Sequence, residues 1–274
     1  MAHQIGVSGS TIMSDPELFQ DLFWEGIHHV EIGEFPDEAA FQHFLEINKD
    51  KQVSYGVHSP LFRSGSKYDL LQKVQIEPAA AWEQLELEAE RLSALGAAYI
   101  LVHFPYFKKE AEENVTEIIE DGLKKLSRLQ DKYKIPFICE PKLGLERSPV
   151  GIQYLHDFPI EIWNKYGLKL CIDIGDYLIA TGDDILAYLD KWRAHIKAVH
   201  LHNVLYEGDK YIWIPVHPSH EFGDFYKVEH IIRFLAQCED VMFIFEHTPH
   251  SNPSKQLVEE GYRWIREIIE LKSC

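Results

Sequence analysis

Basic residues are in short supply in this chain. Its 274 residues hold 27 lysines and arginines against 44 aspartates and glutamates, a formal net charge of −17. Binding along nucleic acid needs cations to replace the counterions of the phosphates. The charge balance therefore works against broad nucleic-acid binding, and equally against an anionic membrane surface. Most of the acid reads as a solvated surface. Cysteine is scarcer still. Cys139, Cys171, Cys238 and Cys274 form no CxxC pair, so neither a disulfide framework nor a thiolate metal knot is expected. Cys139 and Cys171 lie in apolar runs, the usual setting of a reduced buried thiol. No apolar run approaches the roughly 18 residues of a membrane span. The opening MAHQIGVSGSTIMSD lacks a basic stretch followed by an apolar one, so no secretory signal is expected and the cytoplasm is the expected location. The first loop, GVSGSTIMSD, does not make the GxGxxG of a dinucleotide-binding fold, which weakens an open doubly wound sheet.

Short apolar runs alternating with longer amphipathic stretches are what remains. Hydrophobic residues make up 46% and charged residues 26% of the chain, enough to bury a sizeable core. Eight candidate strands fall near 5–8, 29–32, 53–57, 99–102, 136–139, 168–172, 196–200 and 242–245. Helices are expected over 78–95, 110–132 (opened near Asn114), 148–164, 183–191, 228–238 and 255–271. Two more begin at Asp15-Pro16-Glu17 and Asp37-Glu38. Strands alternating with helices imply a parallel sheet with helical crossovers. Eight such units closing on themselves give a (β/α)8 TIM barrel of about 250 residues, so the α/β chain is read as a single domain over 1–274. Two long loops follow the third and seventh strands, 59–77 and 203–227. In such barrels, pocket-building loops follow the strand C-termini.

Six of the apolar runs end in a residue able to bind a metal: His58 in SYGVHSP, His103 in YILVHFP, Glu140 in PFICEPK, Asp173 in LKLCIDIGD, His200 in KAVHLHN and Glu246 in MFIFEHTP. Parallel barrel strands deliver their C-terminal ends to one mouth, so the six side chains converge there. A lone histidine at a strand end is more often a satisfied structural group. Three buried carboxylates close together, however, repel one another, and a cation is the simplest remedy. Mixed imidazole and carboxylate donors suit Zn, Mn, Co or Mg. Glu31, ending VEIG, faces the same mouth and is expected as a polar pocket contact. His202 shares strand parity with His200 and reads as a substrate ligand or as a partner behind the ligands. Tyr106, Phe107, Tyr206, Tyr211 and Trp213 lie in the loops, where they would flank a ligand in the polar site or simply pack.

The strand-end motifs GVHSP, VHFP, EPK, DIGD, HLHN and FEH, in that order, resemble the xylose isomerase-like barrel superfamily over almost the whole chain. The superfamily includes sugar isomerases and epimerases, and also endonuclease IV. The resemblance implies a four-ligand metal centre at Glu140, Asp173, His200 and Glu246. Glu140 and Glu246 would be acid and base on opposite substrate faces, in isomerisation or epimerisation of a sugar, sugar phosphate or polyol through a metal-stabilised enediolate. His58 and His103, which in an isomerase would contact substrate or back the ligands, match histidines that, with the Glu140 position, hold another metal in endonuclease IV. That enzyme's third metal needs a histidine where this chain has Asp176. It also needs an Asp-x-His element, where this chain reads HPSHEFGDF with His217 and His220. A metal-dependent phosphoester hydrolase is therefore the second reading and a non-catalytic sugar-binding barrel the third. Lys142 resembles the lysine of the EPKP stretch of xylose isomerase. It would hold a sugar oxygen or carboxylate, or pair with a site acid. Assembly of identical copies is left open.

Overall fold

A computed structural model describes residues 3–112, 114–208 and 210–270. Cys274 and the expected helix end at Leu271 lie outside them.

Eight parallel strands close into a barrel. They are β1 (Gln4–Ser8), β2 (His29–Phe35), β3 (Ser54–Phe62), β4 (Ile100–His103), β5 (Phe137–Glu140), β6 (Lys169–Asp173), β7 (Ile196–Leu201) and, after a hairpin of β8 (Asn203–Glu207) and β9 (Lys210–Ile214), β10 (Met242–Phe245). Around the barrel run α1 (Glu38–Lys51), α2 (Pro78–Ala94), α3 (Val115–Tyr133), α4 (Val150–Asp157), α5 (Ile160–Trp163), α6 (Ile174–Thr181), α7 (Ile185–Trp192), α8 (Glu229–Leu235) and α9 (Lys255–Glu270). Each long helix buries one stripe. In α3, Ile119, Leu123, Leu126 and Leu129 recur every three or four residues and face the barrel. Among the described residues no helix is long and apolar enough to cross a membrane.

Several local expectations need correction. Pro16 opens a 3-10 helix, Pro16–Leu22, capped by Asp15, rather than an α-helix. The helix placed at 110–132 starts later than its outer bound, at Val115, while the opening expected near Asn114 holds: the Asn114 side chain caps it by accepting from Thr116 N–H. The 148–164 helix breaks into α4 and α5 at Phe158-Pro159, because proline offers no N–H to continue a helix. A helix absent from the sequence reading, α6, starts directly at the end of β6. Nor is the 203–227 loop irregular throughout. It opens with the β8–β9 hairpin, turned at Gly208 with φ +61°.

The barrel interior is graded, and the grading positions the site. Side chains of Leu101, Ile138, Cys171, Ala198, Met242 and Ile244 form an apolar cluster inside the strands, with Tyr99. One strand step further up, at period two, the inward positions become His103, Glu140, Asp173, His200 and Glu246. The apolar layer is a dry floor, and the polar layer stands on it at the strand C-terminal mouth.

Candidate metal centre

Asp173 shows how the chain builds this centre locally. It is the last residue of β6 and the N-cap of α6, where Oδ1 accepts Asp176 N–H at 2.9 Å. Its Oδ1 also lies 2.8 Å from His202 Nε2. Its Oδ2 lies 2.6 Å from Lys142 Nζ. The carboxylate is thereby immobilised. Burial opposes its charge, but Lys142 and His202 hold its pKa below the ordinary range.

Two groups of donors stand close enough to share an ion. Ligand atoms of Glu140, Asp173, His200 and Glu246 all lie within 4.8 Å of one another, as do those of His58, His103 and Glu140. Glu140 belongs to both. Its Oε2 is buried without a hydrogen bond, 3.4 Å from His58 Nε2 and 3.1 Å from His103 Nε2. The two glutamates expected on opposite sides both reach one nitrogen. Glu140 Oε1 is 3.1 Å and Glu246 Oε2 2.9 Å from His200 Nδ1. β5 and β10 are separated only by β6 and β7, so their side chains reach inward to a common point.

His200 is the pivot. Its Nε2 faces Glu31 Oε1 at 2.8 Å. An ionised carboxylate only accepts, so Nε2 carries the proton and donates. In the neutral ring Nδ1 then presents its lone pair to two carboxylate oxygens. A proton on Nδ1, or a cation beside it, removes that repulsion. Burial disfavours charge on His200, yet Cys171, Glu246, Glu31 and Glu140 together raise its pKa well above the imidazole range. The donor set therefore fits a divalent cation: one imidazole nitrogen and three carboxylates, around a point that demands positive charge.

Lys142 meets part of that demand. Its Nζ contacts Glu140 at 3.3 Å, Asp173 at 2.6 Å and Asp176 at 2.7 Å, and lies 4.9 Å from the Trp213 ring. Burial opposes its charge, but the three acids hold its pKa well above that of a free lysine. Asp176 is pushed up to about 7 by burial and by the neighbouring charge of Asp173.

A cavity of about 680 Å³ opens above the centre. Of the site residues named from the sequence, His58, His103, Lys142, Asp176 and Glu246 border it, together with Tyr106, Tyr211 and Trp213. Trp213 is carried there by β9 and stacks on His202, with ring centroids 4.5 Å apart. Glu140, Asp173, His200 and His202 lie beneath the cavity wall. Glu31, expected as a pocket contact, does not border the cavity. It is fully buried under His200, because β2 places it one layer deeper. Phe107 is in the core against Tyr154, and Tyr206 lies outside the cavity, 46% exposed. His217 and His220 are not brought to the centre. His217 bonds Ser219 and Glu260 of α9, and His220 packs on Phe225.

Cavity residues missed in the sequence include Arg63, Lys67, Tyr68 and Arg147. Tyr68 stacks on His103 at 4.8 Å. The loop holding Tyr68 is organised by Asp69, 1% exposed, which accepts from the backbone N–H groups of Val74, Gln75 and Ile76. A lone acid in a polar loop was the available signal.

Residues 16–268 match the xylose isomerase-like TIM barrel family. Among solved structures the chain is similar to a 3-keto-D-glucoside 4-epimerase, YcjR, from E. coli, at 13% identity and TM-score 0.66, covering 97% of this chain and 99% of that one. It is also similar to a D-tagatose 3-epimerase-like protein, at 18% identity and TM-score 0.68, covering 96% and 98%. A third is the IOLI protein with a binding zinc atom, at 12% identity and TM-score 0.66, covering 97% and 98%. At such identities the likeness is one of fold. No curated protein sequence matches the chain.

Proposed function

This chain belongs to the xylose isomerase-like TIM barrel family, and on that footing we propose that it is a divalent-metal-dependent sugar isomerase or epimerase. The observation that carries the reading is the convergence of Glu140 and Glu246 on a His200 nitrogen whose opposite face is locked by Glu31. Glu140, Asp173, His200 and Glu246 would hold the ion. When bound, it would supply electrophilic stabilisation of negative charge developing on adjacent sugar oxygens.

The chain's own groups do the rest. Glu246 borders the cavity and is 4% exposed, so it is the carboxylate placed to take a proton from a substrate carbon. Glu140, set beneath the wall beside His58 and His103, returns a proton from the other side of the centre. Lys142 reaches the cavity with a fixed positive charge and can donate to a substrate oxygen. Trp213, Tyr106 and Tyr211 offer ring faces to the apolar side of a sugar and exclude water from the floor. The structural likeness to proteins named as sugar epimerases supports this choice of substrate class.

The test is carbon–proton exchange. Metal-loaded protein is incubated in deuterated water with a panel of ketoses, aldoses, keto-glycosides and their phosphates, and deuterium at carbon is followed by mass spectrometry. At least one sugar should exchange, and Glu246→Gln should slow exchange by about 100-fold or more while circular dichroism stays unchanged. Wild-type exchange rates in the variant would remove Glu246 from the mechanism.

The His58–His103–Glu140 group supports a second reading, hydrolysis of a phosphate ester with two ions. Metal stoichiometry separates the two. A single ion goes with isomerisation, and two or three go with hydrolysis.

A further inference from the structure

Below the metal centre a file of hydrogen bonds runs through the barrel to its other end. Glu31 Oε1 accepts from His200 Nε2 at 2.8 Å. Glu31 Oε2 accepts from Tyr99 Oη–H at 2.7 Å. Tyr99 Oη is 2.9 Å from His29 Nε2, and His29 Nδ1 is 3.1 Å from Ser54 Oγ. Ser54 and Tyr99 border a separate cavity of about 980 Å³ at the N-terminal end of the strands. His29, Glu31 and His200 are fully buried, and Tyr99 is 2% exposed.

Chemistry fixes the direction of every bond in the file. Glu31 has only lone pairs, so both neighbours donate to it. Tyr99 has spent its one proton, so its oxygen accepts from His29 Nε2–H. His29 is kept neutral by burial, which lowers its pKa to about 4, so its Nδ1 accepts from Ser54 Oγ–H. Two glycines leave room beside His29 and for the Tyr99 ring. A Cβ on Gly6 would fall 2.9 Å from the His29 carbonyl oxygen, and one on Gly56 would fall 2.3 Å from the Tyr99 ring. The strand register agrees, pairing His29 with Ser54 and Glu31 with Gly56.

We propose that Glu31, Tyr99, His29 and Ser54 form a positioning spine that fixes the tautomer and ring orientation of His200, so that its Nδ1 lone pair faces the cation site. The inference rests on the reading of His200 as a metal ligand. None of the four residues borders the cavity above the metal centre. They act through His200, as outer partners of metal-bound histidines do when they set the tautomer and the basicity of the ligand.

The spine is tested with Co²⁺, by titration calorimetry and by the ligand-field absorption of the bound ion. Tyr99→Phe removes one oxygen and breaks the file while keeping the ring. Glu31→Gln keeps the shape and replaces the acceptor. Glu31→Gln should weaken Co²⁺ binding by about 10- to 100-fold and Tyr99→Phe by about 10-fold, both with altered absorption. Nitrogen NMR of the Zn²⁺-loaded wild type needs no variant to fold. It should find the proton of His29, and that of His200, on Nε2. Wild-type affinity and spectrum in the variants overturn the spine, as does a His29 proton on Nδ1. Failure of Co²⁺ to bind the wild type overturns the metal reading itself, and the spine with it.

Discussion

His29 carries a consequence for stability that is independent of any ligand. Burial lowers its pKa to about 4, against 6.5 when unfolded, the Glu31 charge only partly opposing. The unfolded chain takes up the proton first as pH falls. Stability from the neutral ring is therefore complete above pH 6.5 and declines as pH drops toward 4, by roughly 2 to 3 kcal/mol between pH 7 and 4.5. Urea unfolding across that range should show the decline, and His29→Gln should flatten it while lowering stability at pH 7. An equal slope in the variant would place the effect elsewhere. At this scale the sequence was informative about identities and poor about partners. The six strand-end donors were legible because strand parity and a common mouth follow from alternation alone. The bond from Glu31 to His200 was not, since it joins residues 169 positions apart through barrel closure that no local pattern encodes.

Elements adjoining the site are held by side chains that do no chemistry. β3 continues past His58 through Ser59 to Phe62, whereas the sequence reading placed the strand at 53–57. Glu88 of α2 supports this extension. It accepts Ser59 Oγ–H at 2.8 Å and Leu61 N–H at 3.0 Å, and is 7% exposed. Glu88→Ala leaves two buried donors unpaired and should cost about 2 kcal/mol, read as a lower urea midpoint with an unchanged slope. An unchanged midpoint would mean that water replaces the carboxylate. The β8–β9 hairpin has the opposite lesson. Its signal, VLYE and KYIWI around a Gly-Asp pair, was present in the sequence, but the length of the surrounding polar loop masked it. α6 was hidden for another reason. In CIDIGDYLIA strand and helix follow without a gap, and a continuous apolar run has no period to read.

At the scale of the whole molecule, the fold was legible because eight alternating units allow few topologies. Closure, strand order and the C-terminal mouth then follow from the handedness of parallel crossovers. The acidic excess also finds a local use. Four buried carboxylates, those of Glu31, Glu140, Asp173 and Glu246, surround His200 or its neighbours, and among the described residues Lys142 and protonated imidazole offset them there. A molecule built this way stores a demand for positive charge at one point of its interior. The measurement that tests this most directly is the metal content of the purified protein, with elemental analysis after equilibration in Mn²⁺, Co²⁺, Zn²⁺ or Mg²⁺ and gel filtration. The account predicts one tightly held ion per chain, lost in His200→Ala while the variant stays folded. Wild-type protein that retains none of these ions, or His200→Ala that retains the same number, would contradict it.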